Sequence, residues 1–309
     1  MTDPWATPIL DAGVRERLTA RFGAGIAAWF DELPGALEAL AERWQIEWGS
    51  LIPRGSMSVV IRCAMPDGRP AVLKVSPDHT RLANEAAALA RWTTVHTPSV
   101  LAVDEGVGAL LMEAIEPGIA LVDSRIYPDH GAAASLVTAL HDSGIADPSY
   151  PPLARRVAYL FESGKKPYER RPELVERVAP DLYERGRELA TRLAERVSST
   201  RVLHGDLTPS NILDGGAERG LVAIDPAPCL GDDVAFDAID LLLWQAEDDD
   251  MIAARAGRLA PAIGSDADHL LEWCRAFAAM TALELAESSE VSDDGIDVYL
   301  TLAGEVPRF

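Results

Sequence analysis

The chain of 309 residues predicts an α+β fold in two lobes, a small sheet-bearing one and a larger, mostly helical one. Two observations carry this. Short β-branched and apolar runs separated by turn residues are concentrated between about 56 and 115, and almost everything beyond Pro117-Gly118 follows a helical period. The expected lobes are 1–114, with N-terminal helices ahead of the sheet, and 115–309, with the natural crevice where they meet.

Residues from about 11 to 45 read as helix because Ile26, Phe30, Leu37, Leu40 and Trp44 recur near a 3.6 period, with Pro34 a break or a first-turn residue. Ser56 to Met65 and Ala71 to Val75 read as strands joined by Pro66-Asp67-Gly68-Arg69-Pro70, strong hairpin chemistry. A helix follows over roughly 78–92. Ser99 to Val103 and Ala109 to Ile115 then read as two further strands across a Gly-rich turn. In the second lobe helices are expected near 130–142, 172–198, 233–246, 250–260, 266–288 and 293–303. Strand-like pieces interrupt them only at 202–203, 212–213 and 221–224.

Composition narrows the function. With 28 Lys and Arg against 49 Asp and Glu the formal charge is −21, which disfavours nucleic acid and anionic membrane surfaces as partners. A content of 48% hydrophobic and 25% charged residues is that of a folded globular protein. No run approaches a membrane span, and the first residues lack a signal-peptide pattern, so a cytoplasmic location is expected. Cys63, Cys229 and Cys274 form no C-x-x-C pattern and read as reduced core residues. No motif calls for an obligate protein partner.

The segment His204-Gly205-Asp206-Leu207-Thr208-Pro209-Ser210-Asn211 fits the H-x-D-x-x-x-x-N pattern of a phosphotransferase catalytic loop. The spacing has a chemical reason: the Asp must meet a nucleophilic hydroxyl, and the Asn must reach back to a magnesium ion on the phosphates. Random placement of this chain's His, Asp and Asn gives the pattern on the order of 0.003 times. Asp225, at the end of the apolar run Leu221 to Ile224, suits a second magnesium ligand, although alone it would read as a strand-end turn residue. Lys74 sits inside Val72-Leu73-Lys74-Val75, where alternation lets it face phosphate oxygens rather than snorkel at an edge. Glu85 falls on the inward stripe of the next helix with Leu82, Ala86 and Leu89, and Lys74 is its obvious partner if it is not simply solvated.

Together with Trp29 to Pro34, Gly55-Ser56-Met57-Ser58, Leu111-Met112-Glu113 and Gly231 to Asp237, these motifs resemble the aminoglycoside phosphotransferase family, in its streptomycin 6-kinase and hydroxyurea phosphotransferase branch. The resemblance implies a protein-kinase-like fold. It makes Asp206 the catalytic carboxylate, Asn211 and Asp225 magnesium ligands, Lys74 the phosphate-binding lysine and Glu85 its partner. Backbone groups of Glu113 and Ile115 would meet the purine edge, and Gly55, Ser56 and Ser58 would cover the phosphates. That loop departs from G-x-G-x-x-G, so serine hydroxyls and backbone N–H groups would do more of the cradling. His204 would support the loop, and Asp237 either braces it or serves the dipole of its own helix.

The expected function is ATP-dependent O-phosphotransfer, or transfer from another nucleoside triphosphate, with Mg2+, to a small cationic acceptor. An aminocyclitol such as streptomycin leads; hydroxyurea, a peptide antibiotic or an amino sugar stays open, as does a catalytically inactive nucleotide-binding protein. A protein kinase is disfavoured, because no Ser, Thr or Tyr lies between Asp225 and Phe236 to make an activation segment. P-loop, dinucleotide-fold and G-x-S-x-G hydrolase signatures are absent. For the acceptor, Glu284 and Glu287 share one helical face and could hold a cation between them, or could be a solvated face. The acidic run 247–250 reads as surface.

Overall fold

The structure, a computed structural model, describes residues 11–306 other than 54, 56, 199 and 289–292, and not the side chains of 293 and 294. It divides into two compact units: the described residues through Arg91 with Thr97–Gly118, and Trp92–His96 with those from Ile119 onward. The division after Gly118 lies four residues beyond the 114/115 boundary read from the sequence. Trp92–His96 go with the second unit because the Trp92 indole donates to Leu140 O and the Ala223 N–H to His96 O.

The first unit opens with α1 (Ala12–Phe22), capped by the Asp11 carboxylate, and α2 (Ala27–Trp44). The break in the expected 11–45 helix falls at Gly23, with φ 80°, while α2 runs through Pro34. Burial of Phe30, Leu33, Leu37 and Leu40 on both sides of the proline outweighs its lost hydrogen bond. Five strands follow: β1 (Glu47–Ile52), β2 (Val59–Ala64), β3 (Pro70–Val75), β4 (Val100–Asp104) and β5 (Ala109–Glu113). All their pairings are antiparallel, in the order β1-β2-β3-β5-β4. The edge strand β1 was not anticipated, since Glu47-Trp48-Gly49-Ser50 carries no apolar alternation and stays half exposed. Strand β2 starts at Val59, so residues 57 and 58 lie in the connection before it.

The pleat gives the sheet two faces. Ala71, Leu73, Val75, Ala109 and Leu111 join the core built by α1 and α2. On the other face Leu110 and Met112, with Val72 beside them, pack against Leu82, Ala86 and Leu89 of α3 (His79–Leu89).

In the second unit, short α4 (Leu121–Ser124) precedes α5 (His130–Ser143), α6 (Leu153–Gly164), α7 (Lys166–Arg170), α8 (Leu174–Arg177) and α9 (Pro180–Glu195). The helix expected over 172–198 is therefore two, with Pro180 opening the second, where its missing N–H costs nothing. Helix α6 was missed. Its apolar positions Leu153, Val157 and Phe161 recur every four residues and are buried. Small ladders follow: β6 (Val202–Leu203), β7 (Ile212–Asp214), α10 (Gly216–Arg219), β8 (Leu221–Ala223) and β9 (Cys229–Leu230), with β6 on β9 and β7 on β8. Then come α11 (Ala235–Leu243), α12 (Asp249–Ile263), α13 (Ala267–Ser288) and α14 (Asp293–Gly304). Helix α13 packs against α9, α11, α12 and α14, with Trp273 fully buried. Its indole and His269 both donate to the Asp233 carboxylate at 2.8 Å, which ties the start of α11 to α13. No helix among the described residues is long and apolar enough to cross a membrane.

Candidate active site

The loop from His204 to Asn211 hangs between β6 and β7. Its first turn needs glycine: Gly205 has φ 77°, and a Cβ there would collide with Ala227 O. Asp237, in the first turn of α11, receives the backbone N–H of His204 at 2.7 Å and of Gly205 at 2.9 Å. Burial pushes its carboxyl up to about 6 even against those two donors. His204 is fully buried, its Nε2 lies 3.1 Å from Ile224 O, and desolvation pulls its pKa down to about 4. The ring is thus neutral at pH 7 and serves as a strut from the loop to the segment leading into Asp225.

Asp206 emerges from this braced turn with its side chain 36% exposed. Asn211, at the end of a 3-10 turn opened by Pro209, donates its amide N–H to the Asp206 carbonyl at 2.9 Å and to Asp206 Oδ2 at 3.1 Å. The Ile224 N–H bonds to Asn211 O at 2.9 Å, one step beyond the Ile212–Ala223 pair of the β7–β8 ladder. That register sets Asn211 and Asp225 at the same end of the ladder. Asp225 has φ 56°, a left-handed conformation that a non-glycine residue holds only where its surroundings enforce it.

The donor set at this ladder end is one amide oxygen and one carboxylate, both hard ligands suited to magnesium. With the Asn211 nitrogen committed to Asp206, its oxygen is the atom left to meet a cation. No cluster of three or more His, Cys, Asp or Glu that could hold a metal occurs among the described residues. Phosphate oxygens and water would therefore have to complete the coordination, as suits a metal carried by a nucleotide.

In the first unit, Lys74 Nζ and Glu85 Oε1 are 2.5 Å apart, with side chains 3% and 2% exposed. Lys74 pairs with Val60 and Leu110 across the sheet, on the face that α3 covers. Glu113 ends β5, donating its N–H to Ser99 O and accepting the Ser99 N–H at Oε2. Ile115 is buried. Gly55 has φ 147° and Ser58 is 4% exposed; Ser56 lies outside the described residues.

A cavity of about 240 Å³ opens beside Asp206, walled by Leu160, Ser163 and Gly164 of α6, Leu207 and Thr208 of the loop, Phe236, Ile239 and Asp240 of α11, and Phe277, Met280, Thr281 and Glu284 of α13. Asp240 is half-buried and Glu284 exposed at the cavity's edge; desolvation, then repulsion from Glu284, Asp206 and Asp237, raises Asp240 to about 7, and desolvation, then repulsion from Asp206 and Glu287, raises Glu284 as well. Glu287 does not join them. Arg170 holds it in a two-pronged pair, both bonds 2.7 Å, which keeps its carboxyl below the usual range. The acidic run behaves differently again: Asp248 caps α12 by accepting the Met251 N–H.

Two residues here escaped the sequence reading. Asp240 lies three positions after Asp237 in an otherwise apolar helix, and a second carboxylate at that spacing was the available signal. Arg156 of α6 donates through Nε to Gly205 O at 2.7 Å and through Nη2 to Asp206 Oδ1 at 2.9 Å. No local pattern marks it.

The fold is that of a kinase-like phosphotransferase. A choline kinase, LicA from Streptococcus pneumoniae, superposes with a TM-score of 0.58 at 15% identity, over 87% of this chain and 98% of that one. A thermostable mutant of an aminoglycoside phosphotransferase, in ternary complex with ADP and hygromycin B, does so with a TM-score of 0.55 at 14% identity, over 86% and 95%. In sequence, residues 43–289 match the family described as aminoglycoside/hydroxyurea antibiotic resistance kinase, and the chain belongs to it. Relatives include a hydroxyurea phosphotransferase of Kitasatospora aureofaciens, 28% identical over 88% of this chain and 79% of that protein. A streptomycin 6-kinase of Streptomyces glaucescens is 29% identical over 76% and 74%.

Proposed function

We propose that the chain transfers the terminal phosphoryl group of ATP to a hydroxyl of a small cationic acceptor, with an aminocyclitol such as streptomycin the leading candidate. The observation that supports a cation is the pair of carboxylates, Asp240 and Glu284, in the cavity that also holds Asp206. Neither has a hydrogen-bond donor or ion-pair partner among the described residues, and an ammonium or guanidinium group would supply both. A neutral acceptor of the hydroxyurea kind would leave that repulsion standing.

In this reading Asp206 orients the acceptor hydroxyl and accepts its proton as the new P–O bond forms. Asn211 and Asp225 would hold magnesium, which when bound neutralises charge on the phosphates. Lys74, fixed by Glu85, meets phosphate oxygens; the backbone of Glu113 and Ile115 meets the purine, and Gly55 and Ser58 lie over the phosphates. Positioning and electrostatics supply most of the rate.

The test is incubation with ATP, Mg2+ and a panel containing streptomycin, other aminoglycosides, hydroxyurea and neutral polyols, with products read by mass spectrometry. Phosphate addition to cationic members alone is expected. Asp206→Ala should abolish transfer while ATP binding by calorimetry stays within about threefold of wild type. Hydroxyurea as the best acceptor would overturn the cationic reading, and near-normal turnover in the variant the role of Asp206.

A further inference from the structure

We infer that Arg156 is a positioning residue for Asp206: it locks the rotation of the carboxylate that an acceptor hydroxyl would meet. The inference rests on the phosphotransfer reading above. Arg156 grips one residue at two points, since Nε takes the carbonyl of Gly205, which is the peptide oxygen just before Asp206, and Nη2 takes Asp206 Oδ1. The planar fork therefore fixes the side chain relative to its own backbone, which the single point charge of a lysine would not do. Asn211 holds Oδ2 from the opposite side.

The fork is itself rigid. The Arg156 side chain is 11% exposed, and its guanidinium lies 5.5 Å from the centroid of the Tyr159 ring. Helix α6 that carries it is seated by Leu153, Val157 and Phe161, each at most 1% exposed. One turn on, Leu160 of the same helix lines the cavity.

The charge around the fork is specific. Asp237 and Asp240 on α11 and Glu284 on α13 carry like charge near Asp206, and Arg156 opposes it at Asp237 and Asp240 while pairing with Asp206. Without the fork the Asp206 carboxylate loses its two-point hold and can rotate away from the orientation an acceptor hydroxyl requires.

The experiment compares wild type with Arg156→Gln, which keeps a polar stem over Tyr159, and Arg156→Lys, which restores charge without the fork. Crystal structures of these proteins report the Asp206 rotamer. In Arg156→Gln the Asp206 carboxylate should leave its wild-type rotamer. The kcat should drop about 100-fold while KM for ATP stays within about threefold. Arg156→Lys should recover only about tenfold in kcat. An unchanged Asp206 rotamer, or kcat within about threefold of wild type in Arg156→Gln, overturns the inference. A wild-type chain inactive on every acceptor while the rotamer changes as expected overturns the phosphotransfer reading and supports the Arg156–Asp206 linkage.

Discussion

Asp240 shows what a half-buried carboxylate among like charges costs a fold. Its pKa is raised from 3.8 to about 7, first by burial and then by Glu284, Asp206 and Asp237. The native state thus holds this proton more tightly than the unfolded chain does. Between pH 4 and 7 its contribution to stability falls as pH rises, and above that it is a fixed penalty. His204 works in the opposite sense, because its lowered pKa favours the native state as pH rises from about 4 to its ordinary value near 6.5. Comparison of a variant with wild type separates the two. We expect Asp240→Asn to raise the melting temperature at pH 8 by on the order of 2–4 °C, with the gain gone below about pH 4. The same variant should weaken a cationic acceptor at least tenfold in KM. A melting temperature unchanged at pH 8 would mean that Asp240 is already satisfied.

At the scale of elements, the ion pair between β3 and α3 is a structural joint and, in the function proposed above, holds the phosphate-binding lysine. Lys74 and Glu85 lie on the buried face, where removing one takes from the other's buried charge its partner at 2.5 Å. Lys74→Met should destabilise the protein by about 3–5 kcal/mol in urea unfolding. The double variant Lys74→Met, Glu85→Met should recover most of that loss and still transfer no phosphate. Recovery of activity along with stability would reduce the lysine to a packing role. Helix α6 is the counterpart in the second unit, since its apolar stripe fixes the helix and its polar side delivers Arg156 to Asp206.

For the whole molecule the relevant quantity is the charge of −21. A field of that sign attracts cationic acceptors and repels ATP, and salt screens both beyond about 10 Å at 0.1 M. Raising ionic strength from about 20 to 300 mM should therefore lower kcat/KM for a cationic acceptor several-fold and leave a neutral one unchanged. Equal salt response for both would confine the attraction to the short-range carboxylates Asp240 and Glu284.

The sequence by itself determined the parts whose chemistry is local. His204 to Asn211 declares itself because loop geometry ties those residue types to that spacing, and strands β2 to β5 because turn residues and alternation act over a few positions. The family resemblance was legible for the same reason, being carried by short contiguous motifs. Tertiary structure decided the rest. Strand β1 exists through its pairing with β2, not through its own pattern. Glu284 and Glu287 look alike on one helix, yet the first faces a cavity and the second an arginine 117 positions away. Arg156 reaches Asp206 across 50 residues of chain. A charged side chain takes its role from whatever the packed helices bring beside it, and one strand of sequence holds no record of that neighbour.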